Sequence, residues 1–153
     1  MGIRIRRVKE EELGELARLY MRAYQGLERY GEPSEEEAAA YLSWLYHSCP
    51  EGFLVAELEE RPVGFIAADP DWRTRNQGEV LEVHELVVDP GVRGKGIART
   101  LMAEAFRLGR MQGRRWASLW VGEGNTAARR WYERLGFREA GRWGEWIRMR
   151  RPL

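Results

Sequence analysis

Two stretches of the chain place residues at spacings that could do chemistry. In the first, Leu86-Val87-Val88-Asp89-Pro90 leads into Gly91-Val92-Arg93-Gly94-Lys95-Gly96-Ile97-Ala98. An apolar, strand-like run stops at a proline, a glycine-rich turn follows, and a helical pattern begins. The first N–H groups of a helix lack internal partners and lie at the positive end of its dipole. Glycines let an anion approach that backbone closely, and Arg93 and Lys95 add positive charge. Such a turn suits a pyrophosphate. It is not a P-loop, because Gly94-Lys95 is followed by Gly96 where Ser or Thr is needed. It is not the dinucleotide fingerprint either, because Arg99 stands where that motif has its third small residue. Two glycines can also shape a turn with no ligand, so the segment alone leaves both readings open.

The second stretch is Asn125-Thr126-Ala127-Ala128-Arg129-Arg130-Trp131-Tyr132-Glu133-Arg134-Leu135-Gly136-Phe137. Much of it makes sense as a helix and nothing more. Asn125 suits an N-cap, Ala128, Trp131 and Leu135 form a stripe at helical spacing, and Gly136 suits the C-terminal stop.

The two stretches together resemble the GCN5-related N-acetyltransferase (GNAT) superfamily. Arg93-Gly94-Lys95-Gly96-Ile97-Ala98 matches its Arg/Gln-x-x-Gly-x-Gly/Ala signature, and Leu86-x-Val88-x-Pro90 resembles the strand before it. Asn125 to Phe137 resembles the other hallmark of the family, and the likeness in element order runs from Ile3 to Met149. The resemblance implies a mixed, mostly antiparallel α/β (α+β) sheet with helices on both faces. It implies acetyl-coenzyme A as acyl donor, no metal, and direct transfer to an amine in a ternary complex. On that reading the backbone of Arg93, Gly94, Lys95, Gly96, Ile97 and Ala98 holds the pyrophosphate. Leu86, Val87 and Val88 run beside the pantetheine arm and the acetyl carbonyl, and Asn125 and Ala128 border the pantetheine from the other side. Tyr132 directs its hydroxyl at the sulfur. A phenol has a pKa of about 10 and a thiol about 8.5, so full proton transfer is uphill by roughly 2 kcal/mol. A hydrogen bond to the leaving thiolate is the more economical role. A core tyrosine is the alternative.

An alkyl ammonium, with a pKa near 10.4, must lose a proton before it can attack. Glu79, Glu82 and Glu85 lie on or beside the apolar run that ends at Val88. Strict alternation puts Glu82 and His84 on one face and Glu85 on the other, and a bulge would reset this. Glu85 is the first candidate base and Glu82 the second, each with a salt-bridged or solvated carboxylate as the alternative. The segment from Tyr20 to Tyr46 holds Tyr20, Tyr24, Glu28, Tyr30, Glu32, Tyr41 and Trp44. Aromatics and acids suit a cation, although several of these rings also fall at core spacing. The acceptor is expected to be an amine of a small molecule or a protein.

The elements that must position these residues read as follows. Ile3–Val8 is a strand, Glu10–Tyr24 a helix, and Ser34 caps a second helix with Glu37 three residues on. Phe53–Leu58 and Val63–Ala68 are strands joined by a turn at Glu60-Arg61-Pro62, and Pro70–Gly78 is a polar loop. Glu79–Val88 is a longer strand, and 94–112 contains a helix. Trp116–Val121 is a strand in parallel crossover to it, Asn125–Leu135 a helix, and Arg142–Arg150 the last strand material.

With 153 residues, one domain over 1–153 is expected. Cys49 is the single cysteine, and His47 and His84 are the two histidines, which speaks against a disulfide framework or a zinc site. A net charge of +1 speaks against nucleic-acid binding. No apolar run approaches the length of a membrane span of about 20 residues. Met1–Arg7 lacks an apolar signal core, so a cytoplasmic monomer or homodimer is expected. A non-catalytic acyl-coenzyme A sensor or partner module is the alternative to an enzyme.

Overall fold

The computed structural model describes residues 2–76 and 78–153. Met1, which heads the Met1–Arg7 stretch, and Gln77, in the expected Pro70–Gly78 loop, lie outside the described residues. In chain order the elements are β1 (Arg4–Arg7), α1 (Leu13–Ala23), α2 (Glu35–Ser48), β2 (Phe53–Leu58), β3 (Arg61–Thr74), β4 (Gly78–Val88), α3 (Ile97–Met111), β5 (Trp116–Gly122), α4 (Thr126–Arg134), β6 (Arg138–Trp143) and β7 (Trp146–Pro152). The strands form one sheet in the order β1-β2-β3-β4-β5-β7-β6. Only the β4–β5 pairing is parallel. It is the pairing that α3 crosses over.

Alternation along β3 divides the core. Phe65 and Ala67 face α1 and α2, joining Leu16, Leu19, Leu42 and Leu45. Ile66 and Ala68 face the other way, joining Leu101, Met102 and Phe106 of α3, with α4 packed on the same side. Each Leu, Ile, Met or Phe among them contributes about 1.5–3 kcal/mol when fully buried. The expected mixed sheet with helices on both faces is what the chain builds.

Several boundaries differ from the sequence reading. Glu10–Glu12 forms a 3-10 turn, and α1 proper starts at Leu13. Within 94–112 the helix occupies Ile97–Met111, as the range allowed, and it begins only after Gly94 (φ 82°) and Gly96 (φ 76°), which take left-handed conformations. The β2–β3 turn is Glu59-Glu60, both at positive φ, and Pro62 already lies in β3. Pro70–Gly78 is not all loop. β3 continues to Thr74 and pairs Trp72 with Val80 across a register shift between Asp69 and Trp72. Pro70 sits at that irregularity, where a missing N–H does not break the ladder. The last strand material is a hairpin, β6 and β7, that turns at Gly144 (φ 57°).

Candidate active site

β4 and β5 are paired only from Leu81↔Ala117 to Val83↔Leu119. Beyond that, β4 continues to Val88 and β5 to Gly122 with no strand between them. The β5-facing edge of Glu85–Val88 therefore presents backbone donors and acceptors to a gap, and such groups need partners when buried. The gap widens into a cleft of about 1150 Å3. At one end lie Arg93, Gly94, Gly96, Ile97, Ala98 and Arg99, where the free N–H groups of the first turn of α3 converge. Gly96 is the N-cap of α3. Its positive φ is readily reached by glycine and strained for an L side chain. Among the described residues, Arg93, Lys95 and Arg99 have no carboxylate partner. Free donors, a helix dipole and unpaired cations fit a pyrophosphate. Lys95 does not line the cleft, whereas Leu86, Val87 and Val88 do.

At the other end stands Glu85. The register of β4 against β3 shifts so that Ala67 faces Glu85 while Ala68 faces Val83, which leaves His84 as an extra residue. The bulge turns Glu85 to the α1–α2 side, the side of Glu82. The alternation that separated the two carboxylates is thereby corrected. The Tyr24 hydroxyl donates to Glu85 Oε2 at 2.5 Å and the Tyr41 hydroxyl to Oε1 at 3.0 Å. Burial pushes the Glu85 carboxyl up to about 7, opposed by the two tyrosine bonds and reinforced by the Glu32 charge. Glu82 has a different environment. It is 3% exposed and does not line the cleft. Burial raises its pKa and Arg148 opposes that, donating to both carboxylate oxygens at 2.6 and 2.7 Å.

Between the two ends, α4 brings Asn125, Ala128, Trp131 and Tyr132 to the cleft wall. Asn125 occupies the N-cap position, yet its side chain makes no capping bond. Ala128, Trp131 and Leu135 are half-buried rather than a core stripe. The Tyr132 ring packs edge-on to Trp131 (5.5 Å) and Phe137 (5.8 Å). Burial and then the charge of Glu85 raise the Tyr132 phenol, so it keeps its proton and can donate. Burial lowers the His84 imidazole to about 4, and its Nε2 is buried without a partner. Tyr20 is buried, Tyr24 and Tyr41 are half-buried, and Trp44 is 48% exposed.

Sequence reasoning missed several wall residues: Trp120, Gly122 and Trp146. It also missed Arg148, whose pairing with Glu82 joins strands 66 positions apart. The Gly122-Glu123-Gly124 run just before Asn125 is the one local signal that a close approach occurs there.

A model of the acetyltransferase (GNAT) family matches residues 13–137. An uncharacterized N-acetyltransferase of Methanocaldococcus jannaschii is 39% identical over 146 residues, which is 95% of this chain and 65% of that protein. The chain thus spans about two thirds of that relative's length. The crystal structure of PH1933 from Pyrococcus horikoshii superposes with a TM-score of 0.89 at 36% identity, covering 99% of both chains. A PaiA N-acetyltransferase of Thermoplasma acidophilum, solved in complex with coenzyme A, shares the fold with a TM-score of 0.81 at 21% identity over 100% of both chains. A family match over most of the chain, carried on a sheet that splays between a glycine turn and Glu85, establishes that this protein belongs to the GNAT acetyltransferase family.

Proposed function

We propose that the chain is an N-acetyltransferase that passes acetyl from acetyl-coenzyme A to an amine by direct transfer in a ternary complex. The observation that carries this reading is one continuous cleft. It is lined at one end by the anion-binding turn, at the other by Glu85, and between them by Tyr132. The Thermoplasma acidophilum protein of the same fold was solved in complex with coenzyme A, which supports coenzyme A as the kind of ligand taken here. When bound, acetyl-coenzyme A supplies an activated thioester.

The chain's own residues then divide the work. Arg93–Ala98 bind the pyrophosphate through backbone N–H groups, with Arg93 facing the cleft and Lys95 adding charge from outside it. The free edge at Leu86, Val87 and Val88 bonds the extended arm, with Asn125 and Ala128 opposite. Tyr132 donates a hydrogen bond toward the sulfur. Glu85 takes a proton from the acceptor's ammonium and leaves a neutral amine with a lone pair. Glu82 lies outside the cleft in a buried ion pair with Arg148, so it serves to hold the β4–β7 side in place.

A carboxyl pushed from 4.5 up to about 7 destabilises the fold by roughly 3 kcal/mol once the pH exceeds both values. A raised carboxyl that lines the same cleft as Tyr132 favours the enzyme over a sensor. A cysteine intermediate is also disfavoured. Cys49 is buried, donates to the Leu45 carbonyl at 3.4 Å, and is pushed up to about 12 by burial and Asp69.

Three outcomes test this reading. Acetyl-coenzyme A should raise the melting temperature of the wild type by mass action. Gly96→Val should abolish that shift while the apo protein still melts cooperatively. Calorimetry showing no heat with the wild type would remove the cofactor assignment. Tyr132→Phe should lower kcat by about ten- to a thousandfold, the scale of one lost transition-state donor, with cofactor affinity little changed. Unchanged single-turnover rates would make Tyr132 a packing residue. Last, kcat/KM should rise as pH passes upward through about 7, where Glu85 loses its proton. Glu85→Gln should flatten that limb and lower kcat/KM. It should also stabilise the fold at pH 8 but not at pH 4, since the buried charge exists only above the folded-state pKa. A Glu85→Gln enzyme with wild-type rates and the same pH limb is the contrary result.

A further inference from the structure

The segment between α1 and α2 crosses the cleft, and Tyr30 ties it to the far side. Tyr30 is 9% exposed, and its side chain reaches the β5–α4 turn. There its hydroxyl accepts the Gly124 N–H at 2.8 Å, one residue before Asn125. Its ring stands edge-on to Trp146 at 5.4 Å. A Cβ on Gly122 would lie 2.4 Å from that ring, so the close approach depends on glycine. Arg29 pairs with Glu145 and places its guanidinium 5.1 Å from the Tyr30 ring centre.

The near side is fastened too. The Glu32 N–H donates to the Tyr20 hydroxyl at 2.9 Å, and a Cβ on Gly31 would lie 2.8 Å from the Tyr24 ring. Leu27, Arg29, Gly31 and Glu32 line the cleft. The segment is thus a strap, pinned to the tyrosines around Glu85 at one end and to the β5–α4 turn at the other.

We propose that Tyr30 is a positioning residue for the acceptor: by fastening this strap, it holds the wall against which the amine docks. The proposal rests on the acetyltransfer reading above. The strap does not itself bond the Glu85 carboxylate, whose partners are Tyr24 and Tyr41. Nor does it shape the Arg93–Ala98 turn, which the positive-φ glycines and α3 set. Loosening it should therefore weaken acceptor binding while sparing both the chemical step and the cofactor.

Two substitutions attack the contact from opposite sides. Tyr30→Phe removes only the hydroxyl and leaves the Gly124 N–H unpaired. Gly122→Ala pushes a methyl into the ring. On the best amine from a substrate panel, each should raise the acceptor KM about tenfold, equivalent to about 1.4 kcal/mol and on the scale of one lost hydrogen bond. The kcat and the coenzyme A Kd should stay within about twofold, as expected when only uniform binding is lost. In Tyr30→Phe the Gly124 amide should exchange with deuterium at least about tenfold faster as its closed state is weakened. A wild-type acceptor KM in folded Tyr30→Phe overturns the proposal, as does a loss confined to kcat or to cofactor affinity. If Gly122→Ala fails to fold, Tyr30→Phe and the amide exchange decide. A wild type that binds coenzyme A but acetylates no amine overturns the acetyltransfer reading, and this proposal with it. Amine turnover with an unmoved KM in Tyr30→Phe sinks the proposal alone.

Discussion

At His84, β4 holds one residue more than β3 can pair, and the side chains beyond it change faces. Without that residue Glu85 would point into the α3 side of the core, among Leu81, Val83 and Leu101. With it, Glu85 meets the hydroxyls of Tyr24 and Tyr41. The same stretch of β4 parts from β5 just past Val83. Twist and bend increase locally at a bulge, so the irregularity that reorients the carboxylate lies where the strands separate. The anion turn, the free backbone edge and the carboxylate therefore follow one another along a single strand and its exit. A shift of one residue in the pairing would move all of them to the wrong faces.

The electrostatics follow from this placement. A buried carboxylate is unfavourable unless it is paired or well bonded. Glu82 is neutralised by the two-point contact with Arg148. Glu85 has phenols instead of a cation, so burial dominates and its pKa rises. Two carboxylates three residues apart on one strand are thereby given different partners, one a guanidinium and the other two phenols, while burial raises both. That separation of environments is a common basis for assigning proton-transfer roles. The tyrosines themselves are raised by burial and by the Glu85 charge, so they remain donors.

What was legible in the sequence is what local backbone preference encodes. Gly94 and Gly96 mark left-handed positions, Ser34 caps α2 by accepting from the Glu37 N–H, and the apolar spacing of Leu101, Met102, Ala105 and Phe106 marks the buried face of α3. What was not legible depends on partners distant in sequence. The bulge at His84 is a property of the β3–β4 pair, so alternation within β4 alone gave the wrong face for Glu85. The extension of β3 past Pro70 was hidden by residues that usually end strands, and it survives because Trp72 regains pairing with Val80. β6 is exposed throughout, so it carried no burial pattern to read. Tyr30 sat in a list of aromatics, and nothing near it in sequence pointed to Gly124, 94 positions on.

The most direct measurement is a carbon-13 NMR titration of the Glu85 side-chain carboxyl in the free protein, assigned by loss of the resonance in Glu85→Gln. A carboxyl turned by the bulge into a buried pocket between Tyr24 and Tyr41 should titrate near 7. A midpoint near the ordinary glutamate value of about 4.3 would mean that Glu85 is solvated, and that the bulge does not build the acceptor end.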